Sequence, residues 1–582
     1  MSSPKVWLIT GASRGFGRRW TEAALARGDK VAATARDLKS LEILQQQYGD
    51  ALLPLALDIT DHDKVVRTVN QAHQHFGRLD VILNVAGYGY MGAIEEVNIQ
   101  EARANFETNV FGTLSVIQAA LPLLRAQGSG HILPVSSAGG IVAFPTGGIY
   151  EATKFAVEGL AEALAGEVAG FGIKVTIIEP GPFATDFMSE SSIKQATPMP
   201  AYESVRQHLT SLLTAEAFGD PSATGEAILK VVDASAPPLR LILGSAMLPL
   251  IKQVYAERLK TWESWENVSK VAQGRNQEYP VDLGERFTMS DTSKTWLVTG
   301  TARGLGRFIS EAVLAAGDRL VAGARDPERL VDLVERYGDR IRPVALDVTD
   351  EVAARHAVDL ALNAFGRLDV LVNNAGYGHT TPFEQMTTQD FRDQVETNLF
   401  GVVNLTRAVL PVMREQHAGH IFQVSSAGGR TSTPGLSAYQ AAKWAVGGFS
   451  DVLAKEVAHL GIRVCTLEPG GMRTDWASEA RRGFDGMLPD YDQSVGKMLR
   501  LLEAYGGREV SDPAKIATLI VQLSRRDDLP LRLLLGGDAL HVCNLADAER
   551  AAELDQWQEV TLSTHFPDAQ LPEGLDMLKK WK

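Results

Sequence analysis

Thr10-Gly-Ala-Ser-Arg-Gly-Phe-Gly17 and Thr299-Gly-Thr-Ala-Arg-Gly-Leu-Gly306 decide the fold of this chain. Each follows a short apolar run, Val6-Trp-Leu-Ile9 or Thr295-Trp-Leu-Val298, and each opens a stretch with apolar residues at helical spacing. A buried strand that runs through a glycine turn into a helix is the first unit of a parallel, doubly wound sheet. Glycines suit the turn because the backbone must reverse sharply and bring strand and helix close together. The first helix is expected to follow Gly17 and to end at Gly28-Asp29.

Outward from the turn, the chain repeats itself. The two turns are 289 positions apart, as are Phe76-Gly-Arg-Leu-Asp-Val81 and Phe365-Gly-Arg-Leu-Asp-Val370, and Val135-Ser-Ser-Ala-Gly-Gly140 and Val424-Ser-Ser-Ala-Gly-Gly429. That register holds to Thr185 and Thr474; by Gly244 and Gly536 the offset is 292, so the second copy has gained three residues. A chain of 582 residues is too long for one core, and so long a period marks a tandem duplication. Apolar runs at Val6–Thr10, Lys30–Ala35, Leu53–Leu57, Val81–Asn84, His131–Ser136 and Lys174–Glu179 alternate with helical stretches. The expected fold is α/β, two tandem Rossmann-fold domains: residues 1–270, a polar linker 271–293, and residues 294–582. The N-terminal part of the linker also reads as a helical extension of the first domain. The stretches around Trp262–Trp265 and Trp557 read as amphipathic helices that cover the substrate cleft or an interface, or simply as core helices.

Composition narrows the function. The net charge of −14 argues against a nucleic-acid or anionic-membrane surface. The two cysteines, Cys465 and Cys543, make no disulfide framework, and no Cys/His cluster suggests a metal. The apolar N-terminal run is too short for a signal sequence or a membrane span, which predicts a soluble, cytoplasmic protein.

The glycine turn at a helix N-terminus can receive a pyrophosphate. The candidate residues are Gly11, Ser13, Arg14, Gly15, Phe16 and Gly17, and Gly300, Ala302, Arg303, Gly304, Leu305 and Gly306. The second strand ends in Arg36 or Arg325, where a carboxylate for a ribose hydroxyl would otherwise stand. An arginine there, with Arg14 or Arg303 inside the turn, favours a 2′-phosphate and therefore NADP(H). Farther along, Tyr150 and Lys154, like Tyr439 and Lys443, lie one helical turn apart on one face, and Ser137 and Ser426 precede the tyrosines by thirteen positions. Strand alternation turns Ser136 and Ser425 the other way.

TGxxxGxG, Asn-x-Ala-Gly, Ser…YxxxK and a late Pro-Gly turn, in that order and twice over, resemble the short-chain dehydrogenase/reductase family across nearly the whole chain. The resemblance implies that Tyr150 and Tyr439 are the general acid/base. It implies that Lys154 and Lys443 bind the nicotinamide ribose and lower the tyrosine pKa, and that Ser137 and Ser426 orient the substrate carbonyl. Asn109 and Asn398 would hold a water that relays protons to the lysine; the alternative is that each satisfies the helix backbone. Asp58 and Asp347, next to Ile59 and Val348, would meet the adenine amine. Asn84, Ala86 and Gly87, and Asn373, Ala375 and Gly376, would line the cofactor. Pro180, Gly181 and Thr185, and Pro469, Gly470 and Thr474, match the family's cofactor-binding turn, whose threonine would meet the nicotinamide carboxamide. The first copy departs from the family at Val85, which is expected to touch sheet support more than chemistry.

The implied activity is interconversion of an alcohol and a ketone or aldehyde, with a small-molecule substrate and an independent site in each half. Substrate residues are expected where the copies differ: 90–94 against 379–383, 141–149 against 430–438, and after Thr185 against after Thr474. Ile141, Val142, Phe144 and Ile149 face a polar set, Arg430 to Thr433, which predicts different preferences. Two other readings are one catalytic domain beside a regulatory NADP(H)-binding one, and a non-catalytic NADP(H) sensor. The family's habit of pairing through the helices around Asn109 and Tyr150 predicts an internal pseudo-dimer, with further homo-oligomers possible.

Overall fold

The computed structural model describes residues 4–189, 192–212, 218–273, 293–480 and 486–564. Most of the expected linker, 274–292, lies outside the described residues. The first half holds β1 (Val6–Thr10), β2 (Lys30–Ala35), β3 (Leu52–Ala56), β4 (Val81–Asn84), β5 (Gly89–Met91), β6 (Gly130–Pro134), β7 (Ile173–Val175), β8 (Ile177–Pro180), β9 (Ile193–Gln195) and β10 (Arg240–Leu243). The second holds β11 (Thr295–Thr299), β12 (Arg319–Ala324), β13 (Ile341–Ala345), β14 (Val370–Asn373), β15 (Gly419–Val424), β16 (Ile462–Pro469) and β17 (Arg532–Leu535).

All main-sheet pairs are parallel. The first half runs β3-β2-β1-β4-β6-β7, and β8 pairs with β10; the second runs β13-β12-β11-β14-β15-β16-β17 without a break. One residue, Thr176, separates β7 from β8, where its hydroxyl turns aside to Pro238 O at 2.6 Å. The Ser136 N–H still reaches Ile178 O at 2.8 Å, which keeps β8 beside the end of β6. The fold is therefore two tandem doubly wound α/β units. β1 and β11 are buried at every position, as strands covered by helices on both faces must be. Trp7 anchors the first through Nε1 to Asp29 Oδ2, and Trp296 the second through Asp318 Oδ2, both at 2.9 Å. The first helix spans Gly15–Arg27, three residues earlier than the glycine spacing predicts, and Gly28, at φ 95°, closes it.

The halves meet through reciprocal contacts. Arg103 pairs with Glu396 and Arg392 with Glu107; Arg125 pairs with Glu384 and Arg414 with Glu95. The helices Gly148–Val168 and Ser437–Val457 lie against one another, with the Phe155 ring over Gly448 and Trp444 over Gly159. The tails cross over. Ser269 O accepts the Gly536 N–H at 3.0 Å and Ala272 O the Asp512 N–H at 2.7 Å, and Val268 and Ala272 join the second half's core. In return, Glu553 accepts the Leu239 N–H at 2.6 Å, and Thr564 Oγ1 accepts the Gly244 N–H at 2.7 Å. Trp557 and Val560 pack against the first half's core. Trp262 joins a hydrophobic cluster with Ala427, immediately after Ser426. The tail helices are thus core for the opposite half, a placement with no local sequence signal.

Buried ion clusters accompany the crossing. Arg240 pairs with Glu158 at 3.1 Å and with Glu162, and the tail residue Arg550 reaches the same Glu162 at 2.9 Å. In the second half Arg532 pairs with Asp451 at 2.8 Å and Glu468 at 3.0 Å, with the tail residue Arg258 at 3.8 Å from Asp451. Such charges are costly to bury singly, so removing one partner is far worse than never having had the pair.

Candidate active site

The glycine turn is built by contacts that allow no other side chain. Thr10 Oγ1 accepts the N–H groups of Val85 (3.1 Å) and Ala86 (3.3 Å), and Thr299 Oγ1 those of Asn374 (2.9 Å) and Ala375 (3.0 Å), tying the first strand to the fourth. A Cβ on Gly11 would lie 3.0 Å from the Ala86 backbone, and one on Gly17 would lie 2.3 Å from Gly11 O. Gly300 and Gly306 face the same limits. Gly15 (φ +54°) and Gly304 (φ +57°) are glycines for conformation, with open space before them.

Arg14 and Arg303 hold the N-cap positions in extended conformation, with no side-chain cap on either helix and no acidic residue in the first turn. The first helical amides are thus left for an anion. Ser13 and Ala302 are half-buried in the turn, Phe16 stacks on Trp20 at 4.9 Å, and Leu305 lies in the second core. These residues fit the pyrophosphate of a dinucleotide.

Arg36 and Arg325 stand exposed just beyond β2 and β12. Burial pushes the Asp58 carboxyl up, but the two bonds from Thr60 and the charge of Arg36 outweigh it and hold the group below its usual value. Asp347 accepts the same two bonds from Thr349, at 2.9 and 2.8 Å. Ile59 and Val348 fill the space that Gly112 and Gly401 leave open. In the second half Arg303 donates to Glu479 at 2.9 Å.

Asn84 and Asn373 end β4 and β14 and are buried. Asn373 bonds Gln423 at 2.8 Å, whereas both amide atoms of Asn84 lack a protein partner because Pro134 replaces that glutamine. The Asn374 amide donates to Thr299 O at 3.0 Å and lies near Gly300 O, bracing the glycine turn itself. Val85 sits at the matching place and packs into the core. The departure at Val85 therefore touches the cofactor turn, a closer connection to chemistry than sheet support.

Tyr150 and Tyr439 stand in the first turn of the two long helices and are nearly closed from solvent. Burial pushes the Tyr150 hydroxyl well above its usual pKa and that of Tyr439 up to about 12; hydrogen bonds with Ser137 and Ser426 oppose the shift. The ammonium groups of Lys154 and Lys443 lie 5.7 Å from the centroid of the tyrosine ring in each half. They donate to Val135 O at 3.0 Å and Val424 O at 2.7 Å. Burial lowers both lysines to about 8; at Lys154 the Glu158 charge opposes the change. Ser136 and Ser425 donate backwards to Lys154 O and Lys443 O and take no part in the cleft.

Asn109 and Asn398 sit in short π-helical turns, Glu107–Gly112 and Glu396–Phe400. Such turns are frequent at functional sites because the extra residue re-aims a side chain. Asn109 accepts the Tyr88 N–H at 3.0 Å and donates to Tyr88 O and Thr153 Oγ1. Asn398 bonds Tyr377 in the same manner and also donates to Gln394 O. A Cβ on Gly87 would meet Asn109 Oδ1 at 2.9 Å, and one on Gly376 would meet Asn398 Oδ1 at 2.5 Å, so both amides press against the Ala86-Gly87 and Ala375-Gly376 backbone.

The Gly181 and Gly470 N–H groups, after Pro180 and Pro469, bond Leu243 O (2.9 Å) and Leu535 O (3.0 Å). Thr185 Oγ1 accepts the Phe187 N–H at 3.3 Å, and Thr474 Oγ1 the Trp476 N–H at 3.4 Å. Phe187 and Trp476 are cleft residues that the motifs do not name but that fall in the segments after Thr185 and Thr474, where substrate residues are expected: their rings lie 5.6 and 5.2 Å from those of Tyr150 and Tyr439. Their signal was position alone, two residues beyond Thr185 and Thr474. Glu151 and Gln440 were missed; they brace the loop before each tyrosine by accepting the N–H of Phe144 or Thr433.

The wall contrast is narrower than the sequence suggests. Ile141 and Val142 pack into a cluster with Met247, Tyr255 and Leu554. Arg430 is buried, paired with Asp547 at 3.0 Å, and lies 5.4 Å from the centroid of the Trp262 ring. These side chains anchor the loops to the tails; Phe144 and residues 431–433 remain half-exposed. Among the described residues no helix is long and apolar enough to cross a membrane, and no group of three or more metal-ligating residues occurs.

Comparison with known proteins agrees with the duplicated geometry. Half of this chain, 47%, is 48% identical over 273 residues to "Oxidoreductase BOA17" of Botryotinia fuckeliana, covering 99% of that protein. A "3-ketodihydrosphingosine reductase" of Bacteroides thetaiotaomicron is 36% identical over 262 residues, 44% of this chain and 93% of that protein. A solved short-chain dehydrogenase of Streptomyces avermitilis, 41% identical, matches 47% of this chain and 100% of its own, at a TM-score of 0.45. Residues 5–196 and residues 294–484 each match the short chain dehydrogenase family model, and the chain belongs to that family of oxidoreductases.

Proposed function

We propose that each half is an NADP(H)-dependent site interconverting an alcohol and a ketone or aldehyde. The observation that carries this reading is the Ser–Tyr–Lys arrangement, present in full in both halves. When bound, NADP(H) supplies or accepts the hydride. Ser137 or Ser426 steadies the carbonyl oxygen, where charge develops. In the reducing direction the Tyr150 or Tyr439 hydroxyl donates its proton to that oxygen. A tyrosine raised by burial holds its proton firmly and is suited to be the acid; serving as a base requires the cationic charge of the lysine nearby. The lysines, lowered to about 8, can return a proton near neutral pH.

Arg36 and Arg325, with Arg14 and Arg303, support a 2′-phosphate and hence NADP(H) over NAD(H). The ketone reductase among the relatives supports a carbonyl substrate. The reciprocal contacts between halves support an internal pseudo-dimer, in which residues 1–270 and 294–582 act as two units. Titration of NADPH by calorimetry should give two bound per chain, against one for a chain with a single binding half. Tyr150→Phe and Tyr439→Phe, screened by NADPH absorbance over a panel of carbonyls, should each remove a different part of the activity. Identical spectra in the two variants would end the idea of divided specificity, and no turnover in the wild type would favour a sensor.

A further inference from the structure

The helices carrying Tyr150 and Tyr439 each end near a buried glutamate whose carboxylate is used by the opposite half. Glu456 Oε2 accepts the Ile94 N–H at 2.8 Å, and its Oε1 accepts the Thr146 N–H at 2.7 Å. Glu167, at the matching place in the first half, accepts the N–H groups of Phe383 at 2.7 Å and Gly435 at 2.8 Å. Ile94 and Phe383 lie in the segments after the Asn-x-Ala-Gly elements, and Thr146 and Gly435 lie in the loops between the serine and the tyrosine. Each carboxylate therefore staples together two cleft loops of the other half, one oxygen to each.

The backbone shows that the loops are held in place. Thr146 has φ +64°, a left-handed conformation that is strained for a β-branched residue; its counterpart Gly435 takes φ +87° freely. The stapled loops are also bonded directly, Gly92 N–H to Thr146 O at 2.7 Å and Thr381 N–H to Gly435 O at 2.8 Å. The first-half loop has one more bond from across the interface, Lys455 Nζ to Ala143 O at 2.5 Å. Gly166 replaces that lysine on the other side.

We propose that Glu456 is a positioning residue for the Tyr150 site and Glu167 for the Tyr439 site, so that each half shapes the substrate wall of the other. Neither carboxylate touches a tyrosine; both act through the loops. The assignment of the loops as substrate wall rests on the function proposed above.

The test is amide hydrogen exchange on the full chain by mass spectrometry, with Glu456→Gln and Glu167→Gln. Glutamine keeps the size but turns an NH2 group toward one of the two donors. Glu456→Gln should speed exchange about tenfold in peptides covering Ile94 and Thr146, the scale of one buried N–H left without its acceptor. Peptides covering Phe383 and Gly435 should not change, and Glu167→Gln should give the mirror image. Glu456→Asp, which keeps both carboxyl oxygens, should give the same regional pattern to a smaller extent. Adding Thr146→Gly, which relieves the strain, should shrink the effect. In a Tyr439→Phe background, Glu456→Gln should raise the KM for the carbonyl substrate and leave the NADPH Kd alone. Faster exchange in a variant's own half, an equal rise in both halves, or no rise at all would overturn the proposal. Crossed exchange without turnover of any carbonyl in the wild type would sink the proposed function and leave the staple standing.

Discussion

Gly448 lies where the two long helices cross, and a Cβ added there would sit 2.3 Å from the Phe155 ring. Ordinary contact begins at 3.4 Å, so Gly448→Ala would drive a methyl group roughly 1 Å into an aromatic ring. Both helices are buried along nearly their whole length and carry Tyr150 and Tyr439 in their first turns, so neither can yield without disturbing a site. Two effects oppose each other. Gly→Ala inside a helix ordinarily stabilises by about 1 kcal/mol. Overpacking a tight core costs about 1–3 kcal/mol. An overlap of that depth puts the cost at the upper end, for a net loss of about 1–2 kcal/mol and, in halves of this length, a fall of about 1–4 °C in Tm. Thermal unfolding followed by circular dichroism measures this, and Phe155→Leu supplies the control. With the ring gone, Gly448→Ala should lose its penalty, giving a coupling of at least about 1 kcal/mol between residues of opposite halves. If Gly448→Ala is as stable as the wild type, or if its cost persists beside Phe155→Leu, the crossing does not pack as described.

The remaining expectations concern the sites. Lys154→Met and Lys443→Met should stop turnover at their own sites yet raise stability at pH 7, because the folded state lowers both ammonium pKa values to about 8. The sign follows from linkage: between about 8 and 10.5 the unfolded chain binds more protons, so wild-type stability rises with pH there and the advantage of methionine shrinks. Denaturant unfolding across that range checks it. Arg36→Leu and Arg325→Leu should each weaken NADPH binding about 10–100-fold at their own site and leave NADH unchanged, as loss of a charge-assisted bond to phosphate requires. Calorimetry reads this directly. Asn374→Val should weaken cofactor binding to the second half about 5–10-fold, the worth of roughly one buried hydrogen bond. Val85→Asn should move the first half the other way.

The parts legible in the sequence are those whose signal is local. The glycine turn, the alternation of apolar runs with helices, and the Tyr–Lys spacing are each written within a dozen residues. The early start at Gly15 escaped because the last glycine of the motif is already helical where it touches the strand. Asn374 read as sheet support because nothing in its own neighbourhood says that its amide turns back to Thr299. Arg430 read as cleft because a polar residue in a loop is ordinarily solvated; its partner Asp547 lies more than a hundred residues away. The glutamates that hold the cleft loops were invisible for a stronger reason. Their partners are backbone N–H groups, which every residue but proline carries, so no side-chain pattern marks them.

Fusion changes what such an interface is allowed to become. In a two-fold dimer of identical chains every contact occurs twice, so any substitution must be tolerated on both sides at once. Here the matching places have diverged. Phe155 faces Gly448 while the bulkier Trp444 faces Gly159. Glu158 pairs with Arg240 at 3.1 Å, whereas its counterpart Gly447 lies directly against the Arg532 guanidinium. Lys455 reaches Ala143 O, and Gly166 across the axis reaches nothing comparable. These differences sit on the two helices that present Tyr150 and Tyr439, and one of the diverged residues, Lys455, bonds the first half's cleft loop. Divergence at the interface therefore reaches the clefts directly. Two sites with the same cofactor machinery can acquire different walls without a single change in the Ser–Tyr–Lys group, because each wall is partly anchored to residues the other half is free to alter.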